Sequence, residues 1–359
     1  MFELRDRDLA AEIVGHLRDL GVDLQFMHVC GTHQDTLVRH GLDALLADTG
    51  VRILQGPGCP VCVTTPREIE EAKAIAMGGA VVTTFGDMAA VPSLDASLRE
   101  VRARGGDVRV VYSITEAVEV ARTVPDRDVV FLSVGFETTA PTAAATVLRG
   151  LPGNMSLLSC HRTLPNALDA ILSAGEIRLD GLIEPGHVST ITGTRMYEPL
   201  SERYGIPQVV AGFEPLDLLM AAYVLATMAS ERRAEVRNEY DRLVRPEGNV
   251  RAQEVMREVF RPVDVRWRGF PVIPGSGLDL RTEFDDHNAR LLFEERLEVL
   301  EEEYPEPPGC RCGDVLRGVI EPGDCPLFAG TCTPRSPIGP CMVSAEGSCN
   351  ITFKYGRRG

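Results

Sequence analysis

Residues 26–54, FMHVCGTHQDTLVRHGLDALLADTGVRIL, contain one complete strand–helix–strand unit. The apolar run at 26–30 predicts a strand, GTHQD predicts a loop, and the pattern at 36–48 predicts a helix. Residues 51–54 predict the next strand. Because a strand, a crossover helix and a second strand place two parallel strands in one sheet, this unit predicts an α/β fold.

The same alternation continues along the chain and restarts once, after Pro125-Asp126. Strands are predicted at 26–30, 51–54, 80–85, 108–112, 129–134, 156–159, 181–184 and 208–211. Capping boxes at 65–68 and 113–116 predict helix starts, the first of them just after Cys62. We therefore expect two similar, Rossmann-like parallel-sheet α/β domains, at residues 22–125 and 126–213.

A third region is expected from residues 1–21 and 214–359, made mainly of helices and loops. Apolar residues on one face predict a helix at 5–20, and longer helical patterns run from 214 to about 245 and from 282 to 303. After the second of these, PEPPG at 305–309 breaks the chain and a cysteine-rich tail begins.

Composition excludes several classes of partner. The formal net charge of -15 over 359 residues opposes nonspecific binding of nucleic acid, which needs a basic surface. No apolar run reaches the roughly 18 residues of a membrane span. The N-terminal segment MFELRDRDLAAEIVGHL has no apolar signal-peptide core, so a cytoplasmic protein with reduced thiols is expected. No phosphate-binding glycine motif is present in the sequence.

The C-terminal tail holds six of the ten cysteines. Four of them have the spacing C-x12-C-x6-C-x16-C, namely Cys312, Cys325, Cys332 and Cys349. Four thiolates can hold zinc or an iron–sulfur cube, and the long, unequal gaps favour the cube over the paired short spacings of zinc sites. A disulfide-stapled tail is the third alternative. Cys310 and Cys341 are assigned to no site.

Chemically active side chains follow the predicted strands. In an open parallel sheet, loops beyond the carboxyl ends of the strands form the binding cleft. We therefore expect convergence on one cleft, or on two facing clefts, of Cys30, Cys59, Cys62, Asp87, Glu137, Cys160, His187 and Glu214.

Two short cysteine motifs stand out among these residues. Cys59-Pro60-Val61-Cys62 precedes a helix, where the helix dipole favours a redox-active pair, although half of a zinc site is the alternative. Cys30 stands three residues before His33, which suits a nucleophile or metal ligand with the imidazole as base or hydrogen-bond partner. The alternative interpretation of this motif is a buried cysteine at the end of a strand followed by a histidine on the surface.

The remaining candidates carry weaker signals. Glu137 precedes a predicted helix, so capping competes with catalysis. His187 follows a strand and a Pro-Gly turn and is a candidate site residue. Cys160-His161 is interpreted as a core residue followed by a surface residue, and His28 as a packed strand residue.

Taken together, these motifs resemble the HypD family of nickel–iron hydrogenase maturation proteins. The matching runs are MHVCGTH (27–33), GPGCPVC (56–62), TFGDM (84–88), GFETTAP (135–141), PGHVSTITG (185–193) and the tail from Cys312 to Cys349. They occur in order along almost the whole chain.

The resemblance implies a role for each cysteine group. Cys312, Cys325, Cys332 and Cys349 would bind a 4Fe-4S cluster, in preference to zinc. Cys59 and Cys62 would form a thiol–disulfide pair that exchanges electrons with the cluster. Cys30 would hold the iron on which two cyanides and one carbon monoxide are assembled. His33, Glu137 and His187 match family motifs and are further site candidates.

The resemblance also implies partners. A small HypC-type chaperone would share the iron through its own cysteine, and HypE, charged through HypF, would deliver cyanide. The protein would then be a monomer within a heteromeric complex, acting as scaffold and redox centre more than as a turnover enzyme. The alternative is an iron–sulfur dependent protein disulfide reductase, which uses Cys59 and Cys62 but gives Cys30 no task.

Overall fold

A computed structural model describes residues 6–356. Its strands are β1 Leu24–His28, β2 Val51–Gln55, β3 Val81–Thr84, β4 Asp107–Val110, β5 Val129–Gly135, β6 Met155–Arg162, β7 Gly181–Pro185, β8 Gln208–Ala211, β9 Val236–Asn238, β10 Phe260–Arg266 and β11 Val272–Leu280. Its α-helices up to the middle of the chain are α1 Arg7–Asp19, α2 Gly31–Arg39, α3 Leu42–Leu46, α4 Pro60–Val63, α5 Pro66–Met77, α6 Leu98–Ala103, α7 Ile114–Thr123, α8 Ala140–Leu148 and α9 Leu164–Ala174. The later ones are α10 Gly186–Thr192, α11 Glu198–Tyr204, α12 Pro215–Ser230, α13 Val250–Val259, α14 Ala289–Leu292, α15 Glu294–Leu297, α16 Cys312–Leu316, α17 Pro340–Val343 and α18 Ser348–Tyr355.

The predicted α/β class is confirmed, because the strands form two sheets that contain parallel strands. The first sheet has the order β2-β1-β7-β8-β9, and all of its strands are parallel. The second has the order β10-β11-β6-β5-β3-β4. Its last four strands are parallel, and β10 and β11 extend it as an antiparallel hairpin.

Each sheet takes strands from both sides of the predicted boundary at 125–126. β1 and β2 pair with β7 and β8, whereas β3 and β4 pair with β5 and β6. The boundary therefore does not separate the two sheets. The predicted third region also contributes to them, since β9 joins the first sheet and β10 and β11 join the second.

Several predicted element bounds are wrong. GTHQD is the start of a helix and not a loop, because α2 begins at Gly31. The long pattern from 214 ends at Ser230, where Arg232 takes a left-handed backbone with φ of 57°. The charged stretch 282–303 forms short turns of helix, interrupted at Phe284. The helix predicted at 5–20 spans Arg7–Asp19, and residues 1–5 lie outside the described part.

Packing places the cysteine motifs between the sheets. On one face of the first sheet, α1 and α12 bury Ile13, Leu17 and Leu219 against the strands. The second sheet has α7, α8 and α13 on its outer face. A third core joins strands of both sheets to the tail. Within residues 6–356, no helix combines the length and apolarity that a membrane crossing requires.

One buried acid stands out in the first sheet. Glu184, near the end of β7, is 0% exposed, and neither of its carboxyl oxygens has a hydrogen-bond partner. Burial raises the pKa of this carboxyl to about 8. A carboxylate without partners in an apolar interior is costly, so the folded protein holds Glu184 in its neutral form at pH 7.

This acid predicts a pH dependence of stability. In the unfolded chain Glu184 ionises near pH 4.5, whereas in the folded protein it keeps its proton up to about pH 8. The folded state therefore binds the extra proton between these values, and stability falls as pH rises through this window, by at most ~1.4 kcal/mol per pH unit from this group. Glu184→Gln removes this loss.

Urea unfolding at pH 5, 6, 7, 8 and 9 tests the prediction. The stability difference between Glu184→Gln and the parent protein should increase in favour of the variant up to about pH 8 and then stay constant. Glu202→Gln, at an exposed position on α11, serves as control and should give a curve parallel to the parent. A parallel curve for Glu184→Gln itself would contradict the assignment.

Candidate functional site

Cys30 lies at the carboxyl end of β1 and is the N-cap residue of α2, with an extended backbone (φ -150°, ψ 127°). Cys30 as a whole residue is 9% exposed, so it is buried. The Cys30 backbone N–H donates to Nδ1 of His28 (3.4 Å), and Nε2 of His28 is 2.7 Å from Oε1 of Gln34. His28 is thus a packed residue, as expected, and it fixes the backbone at Cys30.

The surroundings of Cys30 act on its thiol in opposite directions. Burial raises the pKa of Cys30 to about 11, and the carboxyl group of Glu346 contributes in the same direction. The backbone N–H groups of Thr32 and His33, in the first turn of α2, oppose this rise. The thiol is therefore protonated at neutral pH, and a metal that binds there must displace its proton.

His33 makes its side-chain hydrogen bond to Gly212. Its imidazole is buried and its Nε2 is 2.9 Å from the carbonyl oxygen of Gly212, so Nε2 is the donor. Burial lowers the pKa of His33 to about 3, which keeps the ring neutral. Nδ1 therefore carries no hydrogen, and it has no hydrogen-bond partner. The imidazole is thus held by Gly212, and its role as base or hydrogen-bond partner of Cys30 stays a prediction.

A row of stacked rings connects His33 to the surface. The His33 ring lies 5.1 Å from that of Phe213, which in turn lies 3.9 Å from the ring of His187. His187 is exposed, at the start of α10, and Phe213 follows β8. The structure therefore brings His187 to the edge of the Cys30 site, at the carboxyl ends of neighbouring strands.

Two acids complete this side of the site. Glu346 lies against Gly31. A Cβ atom added to Gly31 would be 2.5 Å from the Cβ atom of Glu346. Burial and the nearby Asp87 raise the pKa of Glu346. Ser344 donates to Asp87 (3.2 Å) and accepts from the backbone of Glu346 (3.3 Å). Sequence reasoning missed Glu346 and Ser344, because the irregular loop between two tail cysteines has no periodicity.

Cys59 and Cys62 form a disulfide in the loop between β2 and α5. Cys59 is the N-cap of α4, and its sulfur accepts from the backbone N–H of Cys62. The helix predicted to begin just after Cys62 is α5, which starts at Pro66 behind the capping box of Thr65 and Glu68, as expected. The short helix α4, which begins at Pro60, was not predicted. The two sulfur-bearing residues are 3% and 0% exposed.

The disulfide loop packs directly on Cys30. Gly58 has no side chain, and a Cβ atom added to it would lie 2.1 Å from the backbone nitrogen of Cys30. Gly31 in turn donates its N–H to the carbonyl oxygen of Gly58 (3.2 Å). Only glycine allows the two backbones to approach so closely at this point.

The tail thiols gather around one cavity. Its lining includes the four predicted ligands together with Cys310 and Cys341. The sulfurs of Cys312 and Cys341 are 2.8 Å apart, and both residues are buried. Leaving Cys310 and Cys341 aside on the sequence alone therefore missed two thiols that share the cavity.

The tail contacts both of the other cysteine groups. α16 and α17 pack on α4, which carries the disulfide, and α18 packs on α2, which begins after Cys30. Gln55, at the end of β2, donates to the carbonyl oxygen of Val315 in α16 (3.3 Å). The tail is therefore a structural part of the site and not a separate appendage.

The donor set in this cavity suits an iron–sulfur cluster. Thiolates are the soft ligands that such clusters use. The rest of the lining is mostly apolar, with Leu327, Phe328 and Met342, and it also includes Arg311. Among the described residues, no three His, Cys, Asp or Glu side chains surround a point where one metal ion could bind. The closeness of Cys312 and Cys341 means that these thiols must separate if they bind different irons.

Three other candidates lie away from Cys30. Glu137 accepts from the backbone N–H of Leu164 (2.9 Å), so it caps α9, and burial raises its pKa to about 7. Cys160 is buried beside Arg290. His161 is also buried, bonded to Ser133 at 2.8 Å, and is not the surface residue expected. No hydrogen bond given by the structure links Glu137 or Cys160 to the Cys30 site.

Comparison with known proteins gives a consistent result. The model of the HypD family, described as the hydrogenase formation hypA family, matches residues 6–356. A Methanocaldococcus jannaschii protein, named as a candidate hydrogenase expression/formation protein, is 44% identical over 99% of this chain and all of its own.

Two bacterial relatives, each named hydrogenase maturation factor HypD, also match this chain over nearly the whole length of both proteins. The Cupriavidus necator protein is 42% identical over 99% of this chain and 96% of its own. The Rhizobium leguminosarum protein is 41% identical over 99% of this chain and 95% of its own. Because the family model and these relatives match from end to end, the chain belongs to the HypD family.

Proposed function

We propose that this protein is a scaffold and redox centre for hydrogenase maturation, holding on Cys30 the iron that receives two cyanides and one carbon monoxide. The observation that carries the proposal is the direct packing of three cysteine groups. Gly58 of the disulfide loop lies on the Cys30 backbone, and tail helices pack on both α4 and α2. One nearly buried thiol thus stands next to a disulfide and a group of soft ligands.

The relatives support the process in which this chemistry would serve. Their printed names are hydrogenase maturation factor and hydrogenase expression/formation protein. A HypC-type chaperone would share the iron, and HypE, charged by HypF, would supply cyanide. Cys30 is buried, and His187, which stacks on Phe213 next to His33, is exposed, so we expect a partner to approach the site from the His187 side.

The residues around Cys30 suit the binding of iron. Burial keeps the thiol protonated, and the carboxyl group of Glu346 lies near enough to accept a released proton. His33, three residues after Cys30, is neutral, and the carbonyl oxygen of Gly212 fixes its Nε2. Such second contacts orient a metal ligand without adding charge.

The disulfide and the tail would supply electrons. Reduction of the Cys59–Cys62 disulfide consumes two electrons and two protons and yields two thiols. A 4Fe-4S cluster on Cys312, Cys325, Cys332 and Cys349 would transfer electrons singly. α4, which carries the disulfide, lies against α16 with Cys312, so transfer between them would need no intervening residue layer.

The burial of the disulfide argues against the alternative, a protein disulfide reductase. Cys59 is 3% exposed and Cys62 is not exposed. Disulfide exchange requires a thiolate of the substrate to reach one of these sulfurs in line. A substrate protein cannot do so in this structure, whereas an electron from an adjacent cluster needs no such access.

Replacement of Cys30 tests the scaffold. Cys30→Ala should abolish hydrogenase activity in a host that lacks its own HypD-family protein, because the iron loses its thiolate ligand. The purified variant should remain folded and brown, since the tail thiols are unchanged.

Cys160→Ala is the matched control, because Cys160 is also a buried cysteine at the end of a strand. It should retain hydrogenase activity. Normal activity in Cys30→Ala would overturn the proposal.

Replacement of single tail cysteines tests the cluster. Cys325→Ser and Cys332→Ser, purified without oxygen, should lose nearly all iron and sulfide and the visible absorption of a 4Fe-4S centre. Cys341→Ser should keep them, because Cys341 lies outside the proposed ligand set. Stoichiometric zinc with no iron in the parent protein would contradict the cluster, and loss of iron in Cys341→Ser would contradict the ligand set.

A further inference from the structure

A cavity of about 750 Å³ lies on the second sheet, apart from Cys30 and the thiols. Its walls are the start of α5, the end of β6, the β10–β11 hairpin and the segment 302–306. The end of β6 is the carboxyl end of a parallel strand, the place where α/β sheets bind ligands. Nothing in the proposed function uses this cavity.

Two buried guanidinium groups line it. Arg162 and Arg268 are each 2% exposed. Arg162 binds both carboxyl oxygens of Glu68 through Nη2 (2.8 and 2.7 Å), and Arg268 donates from Nε to the carbonyl oxygen of Thr64 (2.9 Å). These contacts hold both side chains in place.

Each of the two arginines also has a buried N–H without an acceptor. For Arg162 it is Nε, and for Arg268 it is Nη2. A buried donor without a partner is unfavourable, and more so on a charged group. Both donors belong to arginines that line the same cavity, and neither donor has an acceptor among the described residues.

An acidic segment lines part of the cavity. Residues 301–306 read EEEYPE, in which Glu306 pairs with Arg268 and Glu303 with Arg266. Within residues 6–356, Glu306 provides the only ion pair of Arg268, and its side chain is 34% exposed against 1% for the arginine. The cation is fixed inside the protein, whereas its counter-charge lies on a partly solvated segment and can be replaced.

We propose that this cavity binds a small molecule bearing a carboxylate or phosphate group, which pairs with Arg268 and Arg162 in place of Glu306. Guanidinium groups favour such oxyanions because their planar N–H donors match two oxygens at once. The acidic segment then acts as an internal competitor for the site.

The position of the site connects it to the redox groups. The Arg268 backbone N–H donates to the carbonyl oxygen of Val63 in α4 (2.8 Å). Gly269, the next residue, lies against Gly313 in α16. A Cβ atom added to Gly269 would be 2.5 Å from the Cα atom of Gly313. Arg268 and Gly269 thus lie between α4, which carries the disulfide, and α16 of the tail. A ligand bound to Arg268 would contact this segment.

Trp267 offers a direct readout of binding. It is the only tryptophan of the chain, it lines the cavity, and its neighbours on both sides are the arginines that pair with the acidic segment. The full-length protein is titrated with inorganic phosphate and, separately, with citrate, at constant ionic strength set by chloride. We expect saturable one-site binding of at least one of them by tryptophan fluorescence and calorimetry, and the comparison identifies the preferred oxyanion.

Variants of the acidic segment and of the arginine give opposite predictions. Glu303→Gln/Glu306→Gln removes the competitor and should tighten binding about tenfold, whereas Arg268→Gln should weaken it at least tenfold. Glu302→Gln is the matched control, because Glu302 also lines the cavity on this segment but pairs with neither arginine. It should leave the affinity within about twofold.

Three results would overturn the inference. They are no saturable binding by either the parent or the double variant, equal affinity in Arg268→Gln, or equal tightening in Glu302→Gln, which would reflect net charge alone. Glu303 and Glu306 are not buried, so the double variant tests the site even if Arg268→Gln does not fold.

Discussion

The contact of Gly58 with the Cys30 backbone is the constraint on which the site depends. The carboxyl ends of β1 and β2 are adjacent because the two strands are parallel neighbours in register. Their loops must therefore pass each other closely, and a side chain at Gly58 would collide with Cys30. This one approach places the disulfide loop on the nearly buried thiol, before any contribution from the tail.

The tail turns this arrangement into a closed unit. Its helices pack on α4 and on α2, and its 344–346 loop brings Ser344 and Glu346 to Cys30 and Asp87. Residues more than 250 positions apart therefore share one pocket. Because the tail also carries the cluster of thiols, any change that loosens it disturbs the surroundings of Cys30 and the disulfide together.

Local patterns predicted much of this architecture from the sequence. Strand positions followed from apolar runs, and the convergence of Cys30, Cys59 and Cys62 followed from the geometry of parallel strands. Sheet membership did not follow, because nothing in β7 or β8 itself specifies that they pair with β1 rather than β6. Helix ends were misjudged where charge and helix propensity persisted past a backbone break, as at Arg232.

Side-chain contacts marked a second limit of prediction. His33 was expected to be a base or hydrogen-bond partner because it stands near Cys30 in sequence, and no sequence pattern predicted its contact with Gly212, which follows β8. Glu137 looked like a cap of its own helix and instead caps α9. Glu346 and Arg268 carried no motif, because their importance comes from tertiary burial, which a single sequence does not record.

The central claim is that the tail holds iron next to a disulfide that lies on Cys30. Crystals of protein purified and grown without oxygen, measured at the iron absorption edge, test it most directly. We expect a strong anomalous signal from iron inside the cavity beside the Cys59–Cys62 loop, which is lined by Cys312, Cys325, Cys332 and Cys349. A signal only at the zinc edge, or iron bound away from this cavity, would contradict it.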